Sequence, residues 1–226
     1  MQKIAILDYH KWDKNLKESK KIKFRLISQK ANVDIYKVMK NQLPDVNSYD
    51  KFVLSGSDDP NLLKKQSAKK SLDTVFKADS QNKKVLALCG GYELLGVVGY
   101  GMEFRELIEA ECEFGQIFLR NGAKDDPLFV QIPERYSVLE VHKKIIIPKK
   151  KSKILAFNII TGGAEVIKFS KNIYGMQGHP EDTEEEATKI IRTYAKKYNL
   201  PERNRLRKTD FVLNRNDQIF KNFVNL

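Results

Sequence analysis

The sequence predicts an α/β fold with a mostly parallel, doubly wound sheet and an antiparallel extension. Three observations predict it. From Lys3 to Leu95 short apolar runs alternate with amphipathic, helix-spaced segments, the pattern of a parallel sheet covered on both faces. The stretch Lys84-Val-Leu-Ala-Leu-Cys-Gly-Gly-Tyr-Glu-Leu-Leu-Gly96 joins an apolar strand to an apolar helix start through one tight turn. From Phe104 to Tyr174 the pattern changes to short strands separated by turns, which predicts an antiparallel stretch attached to the parallel core.

Taken in order, residues 3–7 read as a buried strand and 33–38 as a second, and 15–29 between them has helical spacing with many lysines. A third strand at 52–54 runs into a Gly-Ser-Asp-Asp loop. Residues 62–78 read as an amphipathic helix whose apolar positions are Leu62, Leu63, Leu72, Val75 and Phe76. The strand at 85–88 follows. In the antiparallel stretch the strands are expected at 115–119, 137–141, 154–157 and 165–169, and 173–177 returns to the core. Asp182-Thr183 opens a helix: the acidic run Glu184 to Glu186 suits its positive N-terminal end, and Arg192, Lys196 and Lys197 suit the other. Pro201 then breaks the chain, and 217–224 fits a last short helix. The organisation is one domain over 1–198 with a C-terminal helical extension over 199–226.

At 226 residues, 41% of them hydrophobic, the chain can bury one good-sized core. No apolar run approaches the length of a membrane span, and the apolar stretch after Met1 is too short for a signal peptide. Two cysteines, Cys89 and Cys112, are too few for a disulfide framework or a zinc site. No metal or cofactor is therefore called, and no phosphate-loop motif is present. The cytoplasm is the expected compartment, since a catalytic thiol must stay reduced. The net charge of +12 raises nucleic-acid binding. However, the lysine pairs and the Lys149-Lys-Lys151 run are scattered and lack interleaved aromatics or arginine, so a solvated lysine-rich surface is the reading taken, with neither nucleic acid nor membrane as partner.

Cys89 sits where a thiol becomes a nucleophile. A tight strand-to-helix turn pushes the sulfur out of the sheet edge, and Gly90 and Gly91 relieve the steric cost of that turn. The following helix points its free N–H groups and positive dipole end at the sulfur. Much later, Tyr174-Gly-Met-Gln-Gly-His-Pro-Glu181 supplies a histidine and a carboxylate two residues apart. His179 is the base and Glu181 the group that fixes its tautomer. The alternatives are a buried structural cysteine and a carboxylate that only caps the following helix. The chain has three histidines, His10, His142 and His179. His10 follows the first strand and reads as a solvent-exposed loop residue.

These two segments, with Tyr49-Asp-Lys-Phe-Val-Leu-Ser-Gly-Ser-Asp-Asp-Pro60 between the first and second strands' turn and the nucleophile, resemble the class I glutamine amidotransferases. That family carries a G-x-C-x-G-x-Q turn, a later H-P-E and a Ser-Gly-Gly-Pro-like loop; here they stand as Ala87 to Glu93, His179-Pro-Glu181 and Ser55-Gly-Ser57. The resemblance covers about residues 1–195. Asp126-Pro-Leu-Phe129, Val138-Leu-Glu-Val-His142 and Tyr174-Gly-Met-Gln177 are similar to the GMP-synthase-like branch, whereas Cys-Gly-Gly-Tyr-Glu-Leu-Leu-Gly is similar to the cobyric acid synthase-like branch.

The resemblance implies a flavodoxin-like glutaminase domain over 1–198. It implies that Cys89 attacks the side-chain amide of glutamine, giving a γ-glutamyl thioester and ammonia for an acceptor enzyme, a separate synthetase subunit. It places the oxyanion and substrate contacts at Gly56, Ser57, Gly90, Glu93 and His142. Ser57 replaces the family's second glycine, and Glu93 replaces a glutamine that helps hold the substrate. A carboxylate there repels the α-carboxylate of free glutamine, which opens a second reading, a stand-alone hydrolase of γ-glutamyl compounds; Glu93 hydrogen-bonding locally is the other possibility. His142 either lines the glutamine pocket or is structural. A non-catalytic regulatory protein on the same fold is the third reading.

Overall fold

A computed structural model describes residues 1–11, 17–213 and 217–226. The start of the helix expected from residue 15 lies outside the described residues. Fifteen regular elements follow in order: β1 (Lys3–Asp8), α1 (Lys17–Ser28), β2 (Asn32–Lys37), β3 (Lys51–Leu54), α2 (Gln66–Ser80), β4 (Lys84–Leu88), α3 (Gly90–Leu94), β5 (Glu103–Leu119), β6 (Arg135–Ile147), β7 (Lys153–Asn158), β8 (Ala164–Lys168), β9 (Ile173–Met176), α4 (Glu184–Tyr198), α5 (Glu202–Arg205) and α6 (Gln218–Asn225). They build one nine-stranded sheet of order β2-β1-β3-β4-β9-β8-β7-β5-β6. The pairs from β2 through β9 are parallel, and those from β9 through β6 are antiparallel. The expected α/β class with an antiparallel extension is the observed one.

Strand alternation sets the layers. Ile4 and Ile6 of β1 face one way and pack with Ile22 and Leu26 of α1 and with Phe220 and Phe223 of α6. Ala5 and Leu7 face the other way and pack with Leu72 and Val75 of α2 and Leu94 of α3. This is the period of two expected of strands buried on both faces. A third cluster of Cys112, Phe114, Leu139, Ala187 and Ile191 seats α4 on the antiparallel part. α4 starts at a capping box: Thr183 Oγ1 accepts from Glu186 N (3.0 Å) and Glu186 Oε2 accepts from Thr183 N (2.8 Å).

Two expected boundaries move. The helix expected over 62–78 is a short 3-10 turn at Leu62–Lys64 followed by α2, because Lys65 is extended between them (φ −72°, ψ 126°). The strands expected at 115–119 and 137–141 are the inner ends of β5 and β6. Both strands run outward as a two-stranded arm, paired again from Glu103↔Ile147 to Glu106↔Lys144 after a register shift. Most of 103–109 is exposed, so no apolar alternation marks the outer part of β5 as a strand.

Residues 199–213 and 217–226 return to the sheet. Ser137 N donates to Phe211 O (2.9 Å), and Asn222 Nδ2 donates to Leu128 O and Val130 O (2.8 Å each). The buried ammonium of Lys51 donates to Phe223 O (2.9 Å) and Val224 O (2.8 Å), the last carbonyls of α6. Burial, helped by Lys84, pushes the Lys51 pKa down to about 8. Among the described residues no helix is long and apolar enough to cross a membrane.

Candidate active site

The parallel strands deliver their loops to one edge, the carboxyl ends of β1, β3, β4 and β9, where open α/β sheets carry their sites. Cys89 is the first residue past β4 and stands at φ 42°, ψ −110°, a conformation costly to an L-residue. Neighbouring backbone holds it there. Cys89 N donates to Met176 O (2.9 Å) and Gly91 N to Ser55 O (3.0 Å). Side chains at the two glycines would collide: a Cβ on Gly90 would lie 2.8 Å from Ser57 N, and one on Gly91 would lie 2.7 Å from both Leu54 Cβ and Ser55 O. The sulfur therefore sits at the start of α3, with the β3 loop pressed against the turn.

His179 follows β9. Its N–H donates to Leu139 O (2.8 Å), which fixes the loop against β6. Its Nδ1 is 2.6 Å from Glu181 Oε1, and Glu181 is fully buried. The His179 imidazole and the Cys89 thiol lie close enough that each shifts the other's pKa. Burial pushes the Cys89 thiol up, and the charge on His179 pulls it back down. Burial opposes charge on His179, but Cys89 and Glu181 raise its pKa well above the ordinary imidazole value. Burial also raises the Glu181 carboxyl, against the pull of His179. The structure thus brings the Cys89 thiol, the His179 imidazole and the Glu181 carboxylate together.

The 55–57 loop divides its N–H groups. Gly56 N donates to Glu18 Oε1, whereas among the described residues the Ser57 N–H has no acceptor. Ser57 Oγ donates to Tyr9 O (3.1 Å), so the hydroxyl turns away and leaves that N–H beside Gly90. Glu18 belongs to a second buried chain. His10 Nδ1 is 2.8 Å from Asp8 Oδ1, and His10 Nε2 is 3.3 Å from Glu18 Oε2. His10 is 8% exposed, so the expectation of a solvent-exposed loop residue is corrected: the end of β1 turns it inward between two carboxylates. Burial resists its charge, but Asp8 and Glu18 raise its pKa to about 10. Burial likewise opposes charge on Glu18, yet His10, His179 and the Gly56 N–H hold its carboxyl below the ordinary range.

Sequence reasoning missed His10, Glu18 and Gln177. Gln177 is buried, its Nε2 is 4.0 Å from Cys89 Sγ, and it lies beside Glu93. Its place in Tyr174-Gly-Met-Gln177, two residues before His179, was the available signal; Glu18 had none, because α1 reaches the site only through the sheet's packing. Glu93 lies between Gln177, His142 and Lys144, and burial raises its carboxyl despite these neighbours. The His142 Nε2 lies 3.1 Å from Glu111 Oε2 and 3.1 Å from Glu140 Oε2, without the angle of a hydrogen bond to either. Behind it Glu140 and Glu165 are fully buried against each other, and burial raises both well above the carboxylate range. Glu165 accepts from Gly178 N (2.9 Å), just before His179.

Two clefts meet at Cys89. One, about 350 Å³, is lined by Ser57, Asp58, Glu93, His142 and Lys144. The other, about 480 Å³, is lined by His10, Lys17, Glu18, His179 and Ile190. Glu18, His179 and Glu181 bring three ligand atoms within 4.8 Å of one another. The Glu18 carboxylate is already engaged by Gly56 and His10, and that of Glu181 by His179, so the group reads as a hydrogen-bond network. The arrangement can form a thiolate, hold an imidazolium beside it and offer two N–H groups, from Gly90 and Ser57, to an oxyanion.

Residues 12–197 match the family described as glutamine amidotransferase class-I. The chain is 26% identical over 167 residues to gamma-glutamyl peptidase 3 of Arabidopsis thaliana, covering 70% of this chain and 66% of that protein. It thus spans about two thirds of the length of that relative. Among solved structures it is similar to SMU.1228c (TM-score 0.75, 20% identity, 99% of this chain and 98% of that one). It is also similar to a glutamine amidotransferase of Thermotoga maritima (TM-score 0.73, 15% identity, 99% and 95%). At these identities the structural likenesses show the fold.

Proposed function

Because the chain belongs to the class-I glutamine amidotransferase family, we propose that it hydrolyses the γ-amide bond of glutamine or of a γ-glutamyl compound through a thioester on Cys89. The observation that carries this reading is the grouping of Cys89, His179 and Glu181, with the thiol on a strained turn and the His179–Glu181 contact at 2.6 Å. His179 takes the thiol proton, and Glu181 accepts the imidazole's other N–H and stabilises the imidazolium. The thiolate attacks the γ-carbonyl carbon. The resulting oxyanion sits between the N–H groups of Gly90 and Ser57. The C–N bond then breaks, with His179 giving its proton to the departing amine. Water, deprotonated by the same imidazole, cleaves the thioester and releases glutamate.

The two clefts support a division of the substrate into two ends. The cleft holding Glu93, His142 and Lys144 suits the amino-acid end of the γ-glutamyl group. The cleft holding His179 is the leaving-group side, and its 480 Å³ exceeds what ammonia needs. That volume, together with the name of the Arabidopsis relative, favours a γ-glutamyl compound whose leaving amine fills the cleft. Under the alternative, free glutamine is the substrate and a separate synthetase subunit takes the ammonia. The deciding experiment measures glutamate release from glutamine and from a γ-glutamyl dipeptide series. Higher kcat/KM for the dipeptides supports the hydrolase, and release from neither by the wild-type protein overturns both readings.

A further inference from the structure

The Lys149–Lys151 run, unremarkable as sequence, converges in the fold with Lys153, Lys168 and Lys171 on one cavity of about 570 Å³. This cavity is not part of the site around Cys89. Its walls are the turns before β7 and before β9 and the segment Tyr100–Met102 beyond α3. The turn before β9 enters that strand at the end away from His179. The floor is aromatic: the rings of Tyr100 and Phe169 stack with centroids 4.8 Å apart and planes 29° apart, and Met102 and Ile167 extend the apolar surface.

The rim is cationic, and no carboxylate lines the cavity. Lys149 is tied to Tyr100 O (2.7 Å) and Lys168 to Asp126 (2.8 Å). The exposed ammoniums of Lys151, Lys153 and Lys171 have no partner among the described residues. Burial, together with the positive charges of Lys168 and Lys171, lowers the pKa of the neighbouring Lys84, against the pull of Asp126 and Asp79. The interleaving of aromatic and basic groups that the linear sequence lacks is thus supplied by the fold.

We infer that this cavity binds a nucleoside di- or triphosphate, with its base on the Tyr100–Phe169 platform and its phosphates among Lys151, Lys153 and Lys171. The volume lies within the usual range for a small-molecule site. Base stacking on an aromatic floor and lysine contacts to phosphate are two separate sources of affinity. Inorganic phosphate would leave the apolar floor unused. A nucleic-acid strand would need a continuing track, and the other lysine pairs, such as Lys64-Lys65 and Lys69-Lys70, line no part of this cavity.

The test is calorimetric titration of the full chain with ATP, adenosine, inorganic tripolyphosphate and a single-stranded oligonucleotide, at about 0.15 M salt to suppress diffuse charge effects. One saturable site for ATP is expected, with adenosine and tripolyphosphate each at least about 10-fold weaker. The double variant Lys151→Ala/Lys171→Ala, at exposed positions, should weaken ATP binding by about 10-fold or more, and Lys64→Ala/Lys65→Ala should leave it unchanged. The inference is overturned by any of four results: no ATP binding, tripolyphosphate as tight as ATP, equal loss in the Lys64/Lys65 variant, or the oligonucleotide binding more tightly than ATP.

Discussion

At Cys89 two opposing influences act on one sulfur. Burial and the carboxylates of Glu93 and Glu18 favour the thiol, while His179 favours the thiolate. Under the proposed mechanism the imidazolium is what favours the thiolate, and His179→Asn should reduce turnover by at least about 10²-fold, measured as glutamate release. Glu181→Gln should cost less, since the backbone of His179 stays bonded to Leu139 O and an amide oxygen can still accept from the imidazole, so only the charged partner is lost. Full activity in His179→Asn would remove that residue from the mechanism. Glu93 is tested by exchange to Gln. If its carboxyl meets the α-carboxylate of the substrate, Glu93→Gln should raise kcat/KM for free glutamine by about 10-fold to 100-fold, and by less for substrates whose α-carboxylate is blocked. An unchanged ratio of the two efficiencies would show that Glu93 does not contact the substrate. What was legible at this scale was the residues that sit in their own local motif, such as Cys89 in its turn and His179 with Glu181. Glu18 and His10 were not, because their surroundings come from which strands and helices lie side by side. A histidine after a strand looks exposed until β1, the 55–57 loop and α1 are packed around it.

Between elements, the Asp8–His10–Glu18 chain joins the end of β1 to the start of α1 and, through Gly56, to the β3 loop. His10 has a folded pKa of about 10 against an ordinary value of 6.5, so folding favours its protonated form. That stabilisation is complete below about pH 6.5 and is lost as pH rises toward 10. The difference in Tm between wild type and His10→Asn should therefore shrink steadily from pH 6.5 to 10, and a constant difference would place the neutral imidazole in the folded protein. At the β4–α3 turn, Gly91→Ala drives a methyl into Leu54 Cβ and Ser55 O at 2.7 Å. A cost of about 1–3 kcal/mol in a denaturant melt is expected, with activity reduced because the same backbone carries the Ser57 N–H. The strand-and-helix alternation up to α3 was readable because those strands are buried on both faces and their apolar runs are dense. The outer part of β5 was not readable, since a strand exposed along most of its length has no apolar period.

Over the whole molecule, the antiparallel strands extend the parallel sheet past β9, and α6 closes one of its faces. Ile219, Phe220 and Phe223 are fully buried there, and Lys51 loses both its carbonyl acceptors if the helix is removed. Phe220→Ala should cost about 3–5 kcal/mol, read as a lowered denaturant midpoint with an unchanged slope. A loss below 1 kcal/mol would make α6 an appendage rather than part of the core. We propose that residues 199–226, although beyond the span of the family match, are structurally required by the domain they follow. The central claim, covalent catalysis at Cys89, is tested most directly by labelling the native protein with a diazo-ketone analogue of glutamine, followed by intact mass measurement and peptide mapping. The account predicts one adduct, on Cys89 and none on Cys112, which is buried away from both clefts, with loss of the adduct when glutamine is in excess. Labelling of both cysteines alike, or an unlabelled Cys89 in an active protein, would contradict it.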